Sequence, residues 1–350
     1  MRGRLLVVLA VAALLAPAST AATAAKVGYP SSIASTGDSI TRAFNTGLVP
    51  LTDAPWNSWS TGSSSSVGSH YRRILAANPG IYGHSYNEAE TGAEMIDLPG
   101  QATAVVADGA EYVTILMGAN DVCASSEAAM TPVAEFRSEL GDALATLSEG
   151  LPDSRIYVVS IPDVYRLWAL LKNNFWARTT WSTAGICQSM LARPLSTAQA
   201  DVDRRTRVRQ RNIDFNTELA QGCALYIHCR FDGNAVFNTA FTTSDVSTRD
   251  YFHPSLAGQA KLASVTWAAS YNFADAVAPS SNATSTTTPT GTDVTLTASD
   301  NVAAAGIEYK LGDASYLRYT STVSVPSGVT LMYRAVDVNG NIEATQSLVG

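Results

Sequence analysis

A serine hydroxyl is a weak nucleophile until a base removes its proton, and the chain has only four histidines to serve as that base: His70, His84, His228 and His253. Only His253 has a carboxylate three residues before it. That carboxylate is Asp250, in Asp250-Tyr251-Phe252-His253-Pro254. A turn there lets Asp250 accept from Nδ1 and fix the tautomer, leaving Nε2 free to take a proton. The other three histidines lack such a partner and read as structural. The serine to be served is Ser39, in Gly37-Asp38-Ser39-Ile40-Thr41, directly after the apolar run 33–36. A serine at the carboxyl end of a parallel strand lies in the ligand crevice of an open α/β sheet. The same block also reads as a plain strand-to-helix turn with Ser39 as its cap. Two further blocks offer donors to an oxyanion. Gly118-Ala119-Asn120-Asp121 follows the run 112–117 and would present the Asn120 amide at the same edge. Gly92, in Glu90-Thr91-Gly92-Ala93, either offers an approachable backbone N–H or is only a loop glycine.

Elements that could position these residues follow from the pattern of the chain. Short apolar runs at 33–36, 112–117 and 155–161 alternate with helical patterns around 70–77 and 132–148, and a last helix is expected over 256–269. That alternation implies an α/β unit, a parallel sheet covered by helices on both faces. Residues 278–291, APSSNATSTTTPTG, have no large apolar side chain and are expected to form an extended linker. Beyond it, VTLTASD, IEYKL, VSVPSG and LMYRAVD alternate apolar with polar residues, so 292–350 reads as a small all-β domain. Its expected core is Val294, Leu296, Ile307, Tyr309, Tyr333 and Val336. Asp337, Asn339 and Asn341 around Gly340 read as a hairpin turn rather than a calcium loop, because Asn-Gly is a turn signal and only one carboxylate is present.

The N-terminus carries Arg2 and Arg4, an apolar run 5–16 and Ala22-Thr23-Ala24, which together read as a cleavable signal peptide over residues 1–25. The mature catalytic unit is then 26–277, and export makes disulfides plausible. The cysteines Cys123, Cys187, Cys223 and Cys229 allow three pairings. Cys223 with Cys229 closes a short local loop, which leaves Cys123 with Cys187. The spacing at Cys223 and Cys229 fits zinc poorly despite the adjacent His228, so no metal or cofactor is expected. A net charge of −7 disfavours a nucleic-acid partner. The one basic run, 204–211, lies among Asp201, Asp203 and Asp214 and reads as a solvated helix face. Signatures for α/β-hydrolase elbows, zinc proteases, phosphate loops and dinucleotide sites are absent.

Taken together, GDSIT at 37–41, the glycine of ETGA at 92, GAND at 118–121 and DYFHP at 250–254 resemble the SGNH hydrolase family, the GDSL esterases and lipases. The resemblance implies Ser39 as nucleophile, His253 as general base and Asp250 as its orienting acid. It also implies an oxyanion hole made from the Ser39 N–H, the Gly92 N–H and the Asn120 amide, within a flavodoxin-like three-layer αβα sandwich of about five parallel strands. The long stretch 163–200 departs from a minimal member and holds Trp168, Phe175, Trp176 and Trp181. Tied by Cys187 to Cys123 beside the GAND block, its aromatics either line a substrate pocket or fill a local core. Secreted, disulfide-bearing members of this length resemble actinobacterial lipases and phospholipase-like esterases. The C-terminal unit resembles bacterial immunoglobulin-like modules, through GIEYKLGDASYLRYTSTVSV and YRAVDVNGNIE.

The expected protein is therefore a secreted, monomeric serine ester hydrolase without a transmembrane segment. Lipid carboxylic esters are the expected substrates, ahead of acetylated polysaccharide. The appended module suggests contact with a glycan or cell surface. A rival of another class is a non-catalytic binding protein on an inert scaffold.

Overall fold

The computed structural model describes residue 24 and residues 26–350. Apart from Ala24, the expected signal peptide lies outside the described residues. Five strands, β1 (Ile33–Gly37), β2 (Ser85–Asn87), β3 (Tyr112–Leu116), β4 (Arg155–Val158) and β5 (Cys229–Phe231), pair in parallel in the order β2-β1-β3-β4-β5. This is the flavodoxin-like order, whose switch point falls between β1 and β3. Every residue of β1, β3 and β4 is buried, as expected of parallel strands covered on both faces.

The α-helices are α1 (His70–Ala77), α2 (Leu98–Asp108), α3 (Ala119–Val122), α4 (Val133–Gly150), α5 (Val164–Leu171), α6 (Phe175–Thr183), α7 (Gln188–Leu191), α8 (Gln199–Ala224) and α9 (Leu256–Ala269). Helices α2, α4 and α8 pack side by side, with the Phe136 and Phe215 rings stacked at 4.0 Å between centroids. Helices α1 and α9 meet through His70, whose nitrogens lie 2.9 Å from the Tyr112 hydroxyl and 2.8 Å from Thr266 Oγ1. Burial lowers His70 to about 3, so it is a neutral strut.

The basic run lies on α8, but its face is not simply solvated. Arg207 and Arg209 pair with Glu127 and Asp163, whereas Arg205 is buried with its guanidinium 4.5 Å from the Trp168 ring centroid. The helix is clamped beneath the 163–200 stretch, which supplies that aromatic cover.

The Ser/Thr-rich segment expected to be a linker is instead strand β6 (Ser280–Thr288), paired residue for residue with β7 (Gly291–Ser299). Threonine suits a pleated edge, and backbone pairing satisfies the chain where no apolar side chain does. The antiparallel unit therefore begins at Ser280. It continues with β8 (Ala304–Leu311), β9 (Leu317–Arg318), β10 (Val323–Pro326), β11 (Thr330–Asp337) and β12 (Gln346–Val349), in sheets ordered β10-β7-β6 and β12-β11-β8-β9. Its core unites Val294, Leu296, Ile307, Val325, Leu331 and Tyr333. Tyr309 packs only at the margin of that cluster, and Val336 is buried outside it.

The turn at 337–341 plugs this unit into the catalytic one. Asp337 Oδ1 accepts the N–H groups of Asn339 and Asn341, each at 2.8 Å. Arg155, buried at the start of β4, donates to Asn339 O, Asn341 Oδ1 and Gly28 O at 2.8–2.9 Å. Around this plug, Arg334 joins Glu308 to Asp153, and His228 Nε2 lies 3.2 Å from Glu308.

Candidate active site

The nucleophile candidate sits where β1 leaves the sheet. Gly37 has φ 140°, and a Cβ there would lie 2.3 Å from Leu116 O, so only glycine lets β1 and β3 run this close. Gln101 on α2 clamps both backbone groups of Gly37, accepting its N–H at 2.8 Å and donating to its carbonyl at 3.0 Å. Gln259 on α9 donates to Ile40 O at 2.7 Å and accepts the Trp59 N–H at 3.0 Å. Ser39 is thus held from both sides of the sheet.

His253 comes from the opposite side of the crevice, on the loop before α9. Its Nε2 is 2.8 Å from Ser39 Oγ and its Nδ1 is 2.7 Å from Asp250 Oδ2. Asp250 Oδ1 caps the turn by accepting the Phe252 and His253 N–H groups at 3.0 and 3.1 Å. Burial pushes the Asp250 carboxyl up, but these hydrogen bonds and the imidazole outweigh it and hold the group below the usual carboxylate range. The turn also forces Tyr251 to φ 58°. Trp181 donates to the Tyr251 carbonyl at 3.0 Å and braces it.

Asn120 lies at the N-terminal end of α3, after Gly118, where a Cβ would collide with Ile161 at 2.5 Å. Together with Ser39 and His253, it lines one cleft. One amide hydrogen of Asn120 is given to Ala93 O at 2.8 Å, which aligns the amide and leaves its second hydrogen for a ligand. The same bond brings the turn of Gly92, at φ 92°, alongside Asn120. Gly92 is exposed and has open space where a side chain would stand.

Two buried carboxyls lie behind these groups. Asp38 Oδ1 accepts the Ile40 N–H at 2.8 Å, while Oδ2 has no partner among the described residues. Burial pushes Asp38 up to about 7. Asp121 accepts the Met95 N–H at 3.0 Å and is pushed by burial to about 6.

From Ser39 the cleft runs along Ile40, Val164, Leu167, Leu170, Phe241 and Phe252, enclosing about 770 Å³ of empty space including its mouth. Its wall is α5, and of the two readings of the tryptophans the pocket lining is the one that does not hold. Trp168 and Trp181 are buried, donating to the Pro194 and Tyr251 carbonyls, and Trp176 is 65% exposed. None of the three lines the cleft. Trp168 sits on the face of α5 turned to α8, so the leucines beside it in sequence face the cleft. Both expected disulfides are formed, and Cys123–Cys187 pins the 163–200 stretch next to α3. Asp38, Gln101, Gln259 and the α5 leucines do not declare themselves in the sequence, because short polar and apolar residues of these kinds are common everywhere.

Among the described residues, the carboxylates of Asp275, Asp300 and Asp337 gather within 4.8 Å of one another, at the junction with the β unit and outside the cleft. No helix among the described residues is long and apolar enough to cross a membrane.

Ser, His and Asp in a relay, with an amide and a glycine turn beside the serine, is an arrangement suited to acyl transfer. No curated protein matches the chain by sequence. Among solved structures, it is similar to TesA, with 16% identity over 68% of this chain and 97% of that one at a TM-score of 0.37. It is also similar to phospholipase A1 from Streptomyces albidoflavus NA297, with 15% identity over 67% and 95% at 0.36. The model of the GDSL-like lipase/acylhydrolase family matches residues 33–265, the whole span from β1 to α9 that holds the cleft. The chain belongs to the GDSL-like lipase/acylhydrolase family, a family of ester hydrolases.

Proposed function

We propose that the protein is an exported serine hydrolase of lipid carboxylic esters that works through an acyl-enzyme. The observation that carries this reading is the largely apolar cleft that Ser39, Asn120 and His253 line together, which offers an acyl chain a wall that acetate would leave unfilled. Ser39 attacks the ester carbonyl as His253 Nε2 takes its proton. Asp250 holds the imidazole and stabilises the imidazolium that forms. The carbonyl oxygen becomes an oxyanion that receives the free Asn120 amide hydrogen and the Ser39 and Gly92 N–H groups. His253 returns the proton to the leaving alcohol, and water attacks the acyl-enzyme by the same route.

Two disulfides and the charged, apolar and small-residue pattern of the N-terminus support export. The two-sheet unit is read as an immunoglobulin-like module of a monomer. Its plugged contact at Arg155 supports a buttressing role more than a freely swinging glycan anchor. The test compares release of long-chain fatty acid from a phospholipid or triglyceride with release of acetate from acetylated xylan. Fatty-acid release in excess of acetate release supports the reading. Acetate alone would replace it with a polysaccharide acetyl esterase, and neither product would favour a binding protein.

A further inference from the structure

Four residues other than glycine hold left-handed backbone around the relay: Ala43, Asn45, Leu51 and Tyr251. Such conformations are unfavourable for residues with a side chain and persist where the surroundings impose them. Asn45 is the one whose side chain reaches the relay. It is buried at 3% exposure with φ 67°, and its Nδ2 donates to Asp250 Oδ2, the same oxygen that accepts from His253 Nδ1. The amide orientation is fixed by both ends. Oδ1 accepts the Leu51 N–H at 2.6 Å, so a reversed amide would set oxygen against carboxylate and N–H against N–H.

The backbone of Asn45 is engaged as well. Its N–H donates to Thr52 O at 3.0 Å, and its carbonyl accepts from Arg249 Nη1 at 3.1 Å. One residue thereby ties the 45–52 loop to the segment that carries the triad acid. Asp250 Oδ1 accepts the Phe252 and His253 N–H groups, and among the described residues Asn45 is the only side chain other than His253 that engages Oδ2.

We infer that Asn45 is a positioning residue of the relay, fixing the Asp250 oxygen that orients His253. The inference rests on the Ser39–His253–Asp250 reading given above. Without the Asn45 donor, a buried carboxylate oxygen keeps one partner of two, and the carboxylate is held less firmly in line with Nδ1 by the two N–H groups on Oδ1 alone. The imidazole then spends less time aimed at Ser39 Oγ. Asn45 does not line the cleft, so substrate binding is untouched.

Two variants separate this role from support of the turn. In Asn45→Asp the residue still tolerates left-handed backbone and still accepts the Leu51 N–H, but the donor to Asp250 becomes an acceptor. In Asn45→Gly the backbone is relaxed and the amide is gone. Each is compared with the wild-type protein by melting temperature, by kcat and KM on a p-nitrophenyl ester, and by the rate at which a fluorophosphonate labels Ser39. The expected result is a folded protein in both cases, with kcat and labelling rate down by about tenfold or more, furthest in Asn45→Asp, and KM within about twofold. Wild-type kcat and labelling rate in folded Asn45→Asp would overturn the inference while leaving the triad intact. Wild-type protein that turns over ester without labelling at Ser39 would overturn the triad and this inference with it.

Discussion

At the scale of single residues, the relay joins two segments 211 to 214 positions apart in the chain, and the distances at its two bonds, 2.7 and 2.8 Å, are those of working hydrogen bonds. Loss of the Asn120 amide in Asn120→Ala is expected to lower kcat by about a hundredfold or more, and Ser39→Ala or His253→Ala by more. Steady-state kinetics on a soluble ester checks this, and near-normal turnover in any of the three would contradict the assigned roles. Asp38 makes a different prediction, about stability. Burial raises it to about 7 from an ordinary 3.8, so between those pH values the unfolded chain has lost a proton that the folded protein keeps. The stability contributed by neutral Asp38 is therefore whole below the lower value and is lost as pH rises through the upper one. Asp38→Asn stays neutral and keeps an acceptor for the Ile40 N–H. Its melting temperature should gain on the wild type as pH rises from about 5 to about 8. Parallel melting profiles would show that Asp38 is not the group responsible. The histidine and its acid are legible because the chain has only four histidines and only His253 has a carboxylate three residues before it, whereas the common serine is legible only through its GDSIT block. The sequence hid Asn45, since nothing marks one asparagine six residues past a serine until the fold sets it against Asp250.

At the scale of elements, the helical and strand patterns were legible where apolar residues recur with a clear period, as in β1, β3, α4 and α9. They failed in two places for physical reasons. Strand β6 has only Ala283 as an apolar residue and is held by pairing with β7, a long-range fact that local composition does not carry. In α5 the conspicuous residue, Trp168, turned to the helix behind it, and the leucines took the cleft. If α5 is the acyl wall, narrowing it should change chain-length preference and leave chemistry alone. Leu170→Trp is expected to lower kcat/KM for long-chain p-nitrophenyl esters by about tenfold or more while acetate and butyrate esters keep theirs. An equal loss at every chain length would place the acyl group elsewhere.

At the scale of the whole molecule, the β unit is keyed into the end of the sheet by the 337–341 turn, and the buried guanidinium of Arg155 is the centre of the lock. Replacing it in Arg155→Ala leaves the Asn339 and Gly28 carbonyls without their donor. This should cost about 3 kcal/mol or more. Calorimetry should then show a lowered melting temperature, and splitting of a single transition into two if the lock alone couples the units. Unchanged melting would mean that the surrounding Arg334, Glu308 and Asp153 contacts suffice. The kinetic constants of such a variant, measured well below its melting temperature, should stay close to the wild type because the plug lies away from the cleft.

The central claim is that Ser39 attacks the ester and carries the acyl group. It is tested most directly by treating the folded, disulfide-bonded protein with a fluorophosphonate and locating the adduct by peptide mass spectrometry, with the His253→Ala variant alongside. The account predicts one adduct, on Ser39, formed in step with loss of esterase activity and slowed severely in His253→Ala. An adduct on another serine, or undiminished turnover in protein fully labelled at Ser39, would contradict it.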